Sequence, residues 1–137
     1  MENLFIEGHH GTFFIPTIDF NADTGLCEII GESYLEETSK FYTPIIRWIE
    51  EFLRTKDIPL VMNFKLTSFN TSSSKCIVEI LSLLKKYQDK GKQITVNWYY
   101  DDTLEDAEEE VEEVEDFMAE TGIKINLIPY SESDSDQ

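Results

Sequence analysis

The sequence has little cysteine, proline and glycine, and it has no long apolar run. Its 137 residues include 2 Cys, 4 Pro and 6 Gly. Cys27 and Cys76 stand in apolar contexts, which indicates reduced core residues and not a disulfide framework. No stretch approaches the roughly 18 apolar residues of a membrane span, and the first residues lack the basic region of a signal peptide. We therefore expect no export, no membrane insertion and a cytoplasmic location.

Basic residues are also scarce. The chain has 11 Lys and Arg against 28 Asp and Glu, a formal net charge of −17. This balance disfavours nucleic acid and anionic membrane as partners, because affinity for both depends on cations that neutralise phosphates. Twelve of the acidic residues lie between positions 101 and 120, where no Lys or Arg occurs. That segment is either a solvated helix face or a surface that attracts a basic partner.

The length and the 41% apolar content predict one globular domain over residues 1–130. The polar tail 131–137 is expected to be disordered. Short apolar stretches predict a β-meander in the N-terminal third. Its strands would span Leu4–Glu7, Thr12–Phe20 and Leu26–Gly31, with turns at Gly8–Gly11 and Asn21–Gly25.

Helical and strand patterns then alternate. Three helices are predicted. The first begins near Thr38 or Ser39, and the second spans about Ser73–Tyr87. The third begins with the capping pattern at Thr103–Asp106 and ends at Gly122. The predicted strands are Leu60–Leu66, Gln93–Tyr100 and Ile123–Ile128. Strands separated by helices pair in parallel, and polar residues at alternate strand positions leave one sheet face uncovered. We expect a mixed α/β sheet with its helices mainly on one face.

A cluster of small polar residues, Asn70-Thr71-Ser72-Ser73-Ser74, lies between a predicted strand and a predicted helix. One interpretation is that Ser72 or Ser73 caps the helix and the other residues fill the turn. The alternative is a phosphorylation site, because unpaired N–H groups and the helix dipole favour a phosphate at a helix start. Composition alone leaves both interpretations open.

The segment from Ser68 to Ser73 resembles the phospho-acceptor turn of STAS domains, the anti-sigma-factor antagonists, in which Asp or Asn precedes the modified residue. A closer resemblance is to the SiaC-type family of regulatory phosphoproteins. It extends over residues 3–130 and is carried by four motifs in order. These are Gly31-Glu32-Ser33-Tyr34, the helix Ile46–Leu53, the Asn70-Thr71-Ser72-Ser73 turn and Val96–Asp101.

The resemblance implies a STAS-like fold and a non-catalytic switch without a cofactor. Thr71 would accept the phosphate and Asn70 would hold the turn. Ser72 and Ser73 would cap the helix or contact a partner, and Lys75 would pair with the phosphate. A Ser/Thr kinase of the histidine-kinase-like ATPase type would modify the chain, and a PP2C-type phosphatase would reset it. The unmodified form would bind a downstream target, a class that includes diguanylate cyclases in this family.

Three alternative interpretations stay open. The first is an anti-sigma-factor antagonist, but Ser73-Ser74-Lys75 stands where such proteins usually carry Gly, which weakens that interpretation. Asp101 and Asp102 follow a predicted strand, so a magnesium site or small enzyme is conceivable, although capping of the acidic helix explains them as well. The third helix would otherwise bind a basic protein through Glu109, Glu112 and Glu113. No catalytic Ser/His/Asp or Cys/His set can be assembled, so we expect no enzyme activity.

Overall fold

The computed structural model describes residues 1–131, so all but the first residue of the expected disordered tail lies outside the described part. The helices are α1 (Thr38–Thr55), α2 (Thr71–Asp89) and α3 (Ala107–Thr121). The strands are β1 (Leu4–Ile6), β2 (His9–His10), β3 (Phe14–Ile15), β4 (Thr17–Phe20), β5 (Leu26–Ser33), β6 (Leu60–Phe69), β7 (Ile94–Asp101) and β8 (Asn126–Tyr130). Within this part, no helix combines the length and apolar character needed to cross a membrane.

Six strands form one mixed sheet in the order β1-β4-β5-β6-β7-β8. The β1–β4 and β4–β5 pairs are antiparallel, as in a meander. The three later pairs are parallel, and each is connected by one of the helices. The predicted mixed α/β sheet is confirmed. Parallel pairing brings the carboxyl ends of β5, β6 and β7 to the same end of the molecule as the first turns of the helices.

The helices lie side by side on one face of the sheet, with α1 against α2 and α2 against α3. Aromatic side chains fill the space between the two layers. The Trp48 ring of α1 lies 5.2 Å from that of Phe20, measured between centroids. Trp98 stacks on Phe64 at 4.9 Å and meets Phe117 of α3 at 6.0 Å. These contacts bury the apolar residues of the strands that alternate toward the helices.

The opposite side of the sheet, here called the open face, carries no helix among the described residues and is crossed by a row of polar side chains. Glu28, Asn63, Asn97 and Asn126 are paired in register on four adjacent strands. Asn126 donates its amide hydrogen to Asn97 at 3.1 Å, Asn97 donates to Asn63 at 2.9 Å, and Asn63 donates to Glu28 at 3.2 Å. Lys65 closes the row with an ion pair to Glu28 at 2.8 Å. The row satisfies its own amide groups.

Two predictions for the N-terminal third are wrong. The expected turn at Gly8–Gly11 contains β2, which pairs with β3 in a small separate hairpin. The expected strand Thr12–Phe20 is interrupted at Pro16, which has no N–H to donate to a ladder. Gly8 allows a close approach here, because a Cβ at this position would lie 2.5 Å from the Ile15 carbonyl oxygen. Both departures come from contacts between segments, which a local pattern does not contain.

Two later boundaries also differ from the prediction. The capping pattern at Thr103 does not begin α3, because Thr103 donates through its N–H and hydroxyl to the Asp101 carboxylate at 3.0 and 2.6 Å. This turn delays the helix to Ala107, while its predicted end at Gly122 is confirmed by a left-handed φ of 78°. The last strand begins at Asn126 and not at Ile123, since Ile123 and Ile125 are buried in the core before pairing starts.

We predict that the polar row stabilises the sheet mainly through its buried centre. Asn63→Ala removes the acceptor of the Asn97 side-chain amide and one of the donors to Glu28, and Asn63 is 7% exposed. The free energy of unfolding should fall by about 1–3 kcal/mol in urea titrations. Asn126→Ala, at the exposed end of the row, is the matched control and should change it by less than about 0.5 kcal/mol. Equal losses in the two variants would contradict this assignment.

A second prediction concerns acid stability. Burial alone would raise the pKa of Glu28, but hydrogen bonds from Lys65 and Asn63 and the Lys65 charge lower it below the ordinary value of 4.5. A carboxylate with a lowered pKa stabilises the fold above its ordinary pKa, and this contribution is lost as pH falls through the folded-state value. At pH 7, Glu28→Gln should lower the free energy of unfolding by about 1 kcal/mol.

The difference between wild type and Glu28→Gln should be constant from about pH 5.5 to 7 and should close below about pH 4. Urea titrations across this range measure it directly. A difference that grows toward acid would show that Glu28 is not stabilised as a carboxylate.

Candidate functional site

The α2 helix begins at a cap supplied by Asn70, at the carboxyl end of β6. Asn70 has an extended backbone, with φ −89° and ψ 174°, and its Oδ1 accepts hydrogen bonds from the Ser73 N–H at 3.0 Å and the Ser72 hydroxyl at 3.2 Å. Its side-chain amide donates to the Leu35 carbonyl at 2.8 Å. The interpretation that Ser72 or Ser73 caps the helix is therefore wrong, and α2 begins two residues earlier than predicted, at Thr71.

Ser73 points into the core and belongs to a buried hydroxyl chain. Its Oγ lies 2.7 Å from the Ser33 hydroxyl and donates to the Ser33 carbonyl at 2.9 Å. The Ser33 hydroxyl lies 2.7 Å from that of Tyr42 in α1, where burial raises the pKa of Tyr42 to about 12 although the Ser33 hydrogen bond opposes the shift. Because Ser73 is 0% exposed, its side chain does not fit the partner contact that was one of its two expected roles.

A second hydroxyl pair joins the first turns of α1 and α2. The Thr38 and Ser72 hydroxyl oxygens lie 2.6 Å apart, and Thr38 also donates to the Leu35 carbonyl at 3.1 Å. Sequence reasoning did not single out Thr38, Tyr42 or Leu35 for this site. The only indication of this junction in the sequence was Ser33, which lies in the Gly31–Tyr34 motif, 40 positions before Ser73. The two helix starts and the end of β5 therefore form one hydrogen-bonded junction.

Thr71 and Lys75 differ from the other predicted site residues because their side chains are exposed. The Thr71 hydroxyl forms no hydrogen bond within residues 1–131, although its neighbours Asn70, Ser72, Ser73 and Ser74 all do. Thr71 is the first residue of α2, beside the N–H groups that a helix start leaves without backbone partners. The junction thus presents one unoccupied hydroxyl to solvent at the positive end of a helix dipole.

A shallow groove of about 240 Å³ runs from Thr71 between α2 and α3. Val78 and Phe117 contribute apolar side chains to it, and Lys75 and Glu120 contribute opposite charges. Lys75 is therefore placed within the same groove as the Thr71 hydroxyl. A group attached to Thr71 would meet one cation, the helix N-terminus and an apolar strip.

The surface where the end of β6 meets α3 is acidic. Asp106, Glu109, Glu110 and Glu113 of the α3 region line a second groove with residues 67–69 at the end of β6. Burial raises the pKa of Glu110, and the charges of neighbouring acidic residues add to this effect. A hydrogen bond from the Trp98 indole N–H to Glu110 at 2.7 Å acts in the opposite direction. Added negative charge near this groove meets an existing negative field.

The Asp101 carboxylate is occupied by its hydrogen bonds to Thr103, and these bonds lower its pKa. Within residues 1–131, no group of three or more His, Cys, Asp or Glu side chains is arranged to hold a metal ion. The fold and the junction instead define a small mixed α/β domain of the STAS-like class, with an exposed threonine opening a helix at the carboxyl end of a strand.

Comparison with known proteins identifies the family. The model of the SiaC family of regulatory phosphoproteins matches residues 9–130, so the chain belongs to this family. An uncharacterized protein of Pseudomonas aeruginosa (strain UCBPP-PA14) is 33% identical over 113 residues, which cover 82% of this chain and 87% of that protein. The resemblance seen in the sequence motifs is confirmed.

Solved structures agree with this assignment. SiaC of Pseudomonas aeruginosa matches with a TM-score of 0.82 and 28% identity, covering 95% of this chain and all of that protein. A second match, with a TM-score of 0.80 and 27% identity, is the crystal structure of the diguanylate cyclase SiaD in complex with its activator SiaC, also from Pseudomonas aeruginosa. It covers 91% of this chain and 100% of the matched chain.

We predict that the two junction hydroxyls at positions 71 and 73 differ sharply in structural importance. Ser73→Ala removes the buried partner of Ser33 and should lower the free energy of unfolding by about 1–2 kcal/mol. Thr71→Ala removes a hydroxyl without an internal partner, so its effect should stay within about 0.5 kcal/mol. Chemical denaturation followed by circular dichroism compares the two variants under identical conditions. A Thr71→Ala loss as large as that of Ser73→Ala would show that Thr71 has a structural role.

Proposed function

We propose that this protein is a phosphorylation-controlled regulator of a diguanylate cyclase, with Thr71 as the phosphorylated residue. The observation that carries the proposal is the exposed Thr71 hydroxyl, which forms no hydrogen bond within the described residues, at a junction whose other hydroxyls are bonded. Membership of a family of regulatory phosphoproteins supports the modification. The SiaC–SiaD complex supports the class of partner, since SiaC is the activator of that cyclase.

The junction favours Thr71 over the neighbouring serines as the acceptor. A kinase must reach the hydroxyl and bring it in line with a phosphate donor, and Ser73 is fully buried. Ser72 is half-buried, and its Oγ is shared between Asn70 and Thr38. A phosphate on Thr71 would lie beside the free N–H groups of the first turn and near Lys75, which together stabilise its charge.

The unmodified form is the one that binds the cyclase in this proposal. A phosphate adds about −1.5 to −2 charges at neutral pH, and three strong acceptor oxygens with them. Burying that group in an interface is costly unless cations of the partner receive it. Asn70, Ser72 and Lys75 surround Thr71 and would form the contact region, while Ser73 would support it from inside through Ser33. A few kcal/mol of differential affinity are sufficient to change the complex from mostly bound to mostly free.

The proposal includes the two enzymes that set the phosphorylation state. A Ser/Thr kinase of the histidine-kinase-like ATPase type would modify Thr71, and a PP2C-type phosphatase would remove the phosphate. The chain itself would catalyse no reaction and would act through binding alone. It would work in the cytoplasm, where the GTP used by diguanylate cyclases is made. Exposure of Thr71 allows both enzymes access to the same hydroxyl.

Binding measurements with substituted proteins test the switch. The ligand is the purified diguanylate cyclase from the same cells, titrated by calorimetry with wild type, Thr71→Ala and Thr71→Glu. Thr71→Ala should bind within about twofold of wild type, because it removes a hydroxyl and a methyl group but adds no charge. Thr71→Glu should bind at least about tenfold more weakly, a loss of about 1.4 kcal/mol.

Ser82→Glu is the matched control for added charge. Ser82 is exposed on α2, eleven residues after Thr71, which is about three helical turns further along the same side. It should bind like wild type. If Thr71→Glu also bound like wild type, the proposed switch would be wrong. If Thr71 changes had no effect while charge reversals at Glu109, Glu112 and Glu113 abolished binding, an acidic scaffold would explain the protein.

Mass spectrometry identifies the modified hydroxyl. Protein isolated from its native cells should carry one phosphate on the peptide that contains Thr71, and phosphatase treatment should remove it. Ser72→Ala should keep the modification, whereas Thr71→Ala should lose it. A phosphate on Ser72 in the wild-type protein would move the switch by one residue and overturn the assignment to Thr71.

A further inference from the structure

The open face of the sheet has few charges for a chain of this composition. Its strand residues include five charged side chains, Asp19, Glu28, Glu32, Lys65 and Asp101, although the chain has 28 acidic and 11 basic residues. The Glu32 carboxylate lies 3.8 Å from the His10 imidazole. Glu28 and Lys65 form an ion pair, and the Asp101 carboxylate is hydrogen-bonded to Thr103. The strong negative charge of the protein therefore lies mainly elsewhere, above all on α3.

Apolar and aromatic side chains occupy both sides of the polar row on this face. Leu26 and Ile30, on either side of Glu28 in β5, are 43% and 36% exposed, and Phe5, which pairs with Asp19 beyond the end of the row, is 64% exposed. Beyond the row, Tyr99 and Tyr130 line a concavity of about 410 Å³ together with Ile30, Gly31, Lys65 and Thr67. Apolar and aromatic side chains exposed together on a sheet face are a feature of interaction surfaces.

The polar row itself is suited to burial. Each of its asparagines donates to the next side chain across the sheet, and the row ends in the Glu28–Lys65 ion pair. Covering the row with another protein surface would leave the bonded amide groups satisfied, so the desolvation cost is lower than for three unpaired amides. The open face thus combines apolar patches with polar groups that need no new partner.

We propose that the open face is a self-association surface, and that it binds the open face of a second copy of this chain. The side chains of the face select this occupant. A basic partner would be attracted to the more acidic α3 surface, whereas exposed apolar side chains and a polar row that is already hydrogen-bonded are suited to cover an equivalent face. Two sheets packed face to face around a two-fold axis bring equivalent apolar patches together. Because the helices lie on the opposite side of the sheet, this contact leaves the Thr71 junction free.

The available area indicates a weak dimer. The six strands contain about 38 residues, and at about 3.3 by 4.8 Å for each residue the face covers about 600 Å². Two copies would bury about 1,200 Å², the lower end of the range for specific interfaces. Net charges of −17 on both copies oppose the contact, so self-association should be strengthened by salt, which screens this repulsion. Contacts between acidic and basic surfaces are weakened by salt.

Sedimentation velocity of the full chain tests the proposal between about 10 and 500 μM, at low and at high salt. Wild type should move toward twice the monomer mass as concentration rises, and 500 mM NaCl should tighten the dimer by at least about threefold relative to 50 mM. Leu26→Glu and Ile30→Glu each place two charges in the symmetric contact and should weaken it at least about tenfold. Ser82→Glu, on the helix side, should behave like wild type.

Three results would overturn the inference. These are a protein that stays monomeric at 500 μM in high salt, self-association that salt weakens, and dimers unaffected by both open-face variants. Circular dichroism and the urea midpoint confirm that the variants are folded, and both positions are already partly exposed. The binding of the cyclase is measured separately through Thr71, so failure of one proposal is distinguishable from failure of the other.

Discussion

The side chain of Asn70 connects the parts of this structure on which the candidate site depends. Parallel pairing of β5 and β6 places the end of β5 beside the start of α2, and one carboxamide joins them by accepting from Ser73 and donating to Leu35. Aspartate could accept the same helix N–H groups, but it has no N–H to donate to Leu35. The asparagine therefore sets both the first turn of α2 and the approach of the α1 entry segment, and with them the position of Thr71.

The sequence predicted the elements of the fold better than their boundaries. Alternation in β6 and β7 and the apolar stripes of α1 and α2 depend on local spacing, and the mixed sheet followed from their order. The hairpin containing His9 and the delayed start of α3 after Thr103 depend on partners that a local pattern does not specify. Thr71 was recognisable as a candidate through the resemblance of its turn to a family motif, whereas the buried Ser33–Ser73 pair, 40 residues apart, became evident only in the structure.

Charge is distributed so that three surfaces of one small domain have different properties. The α3 side is strongly acidic, and burial together with neighbouring charges raises the pKa values of Glu110 and Glu113. The open face has few charges and is partly apolar. Between them, the junction combines a helix N-terminus and Lys75 with an uncharged hydroxyl. A phosphate on Thr71 would change the charge of the junction only, because the charges of α3 and of the open face do not depend on Thr71.

The groups that a partner places opposite Thr71 determine which form of Thr71 it binds more tightly. A partner with basic side chains opposite Thr71 would bind the phosphorylated form more tightly, because those cations would receive the phosphate. Release on phosphorylation therefore requires the partner to place apolar or acidic groups opposite Thr71. The groove beside it offers Val78 and Phe117 for apolar contact, with Lys75 and Glu120 also lining it. Discrimination then arises chiefly from the cost of desolvating the phosphate, and it should persist at salt concentrations that screen long-range repulsion.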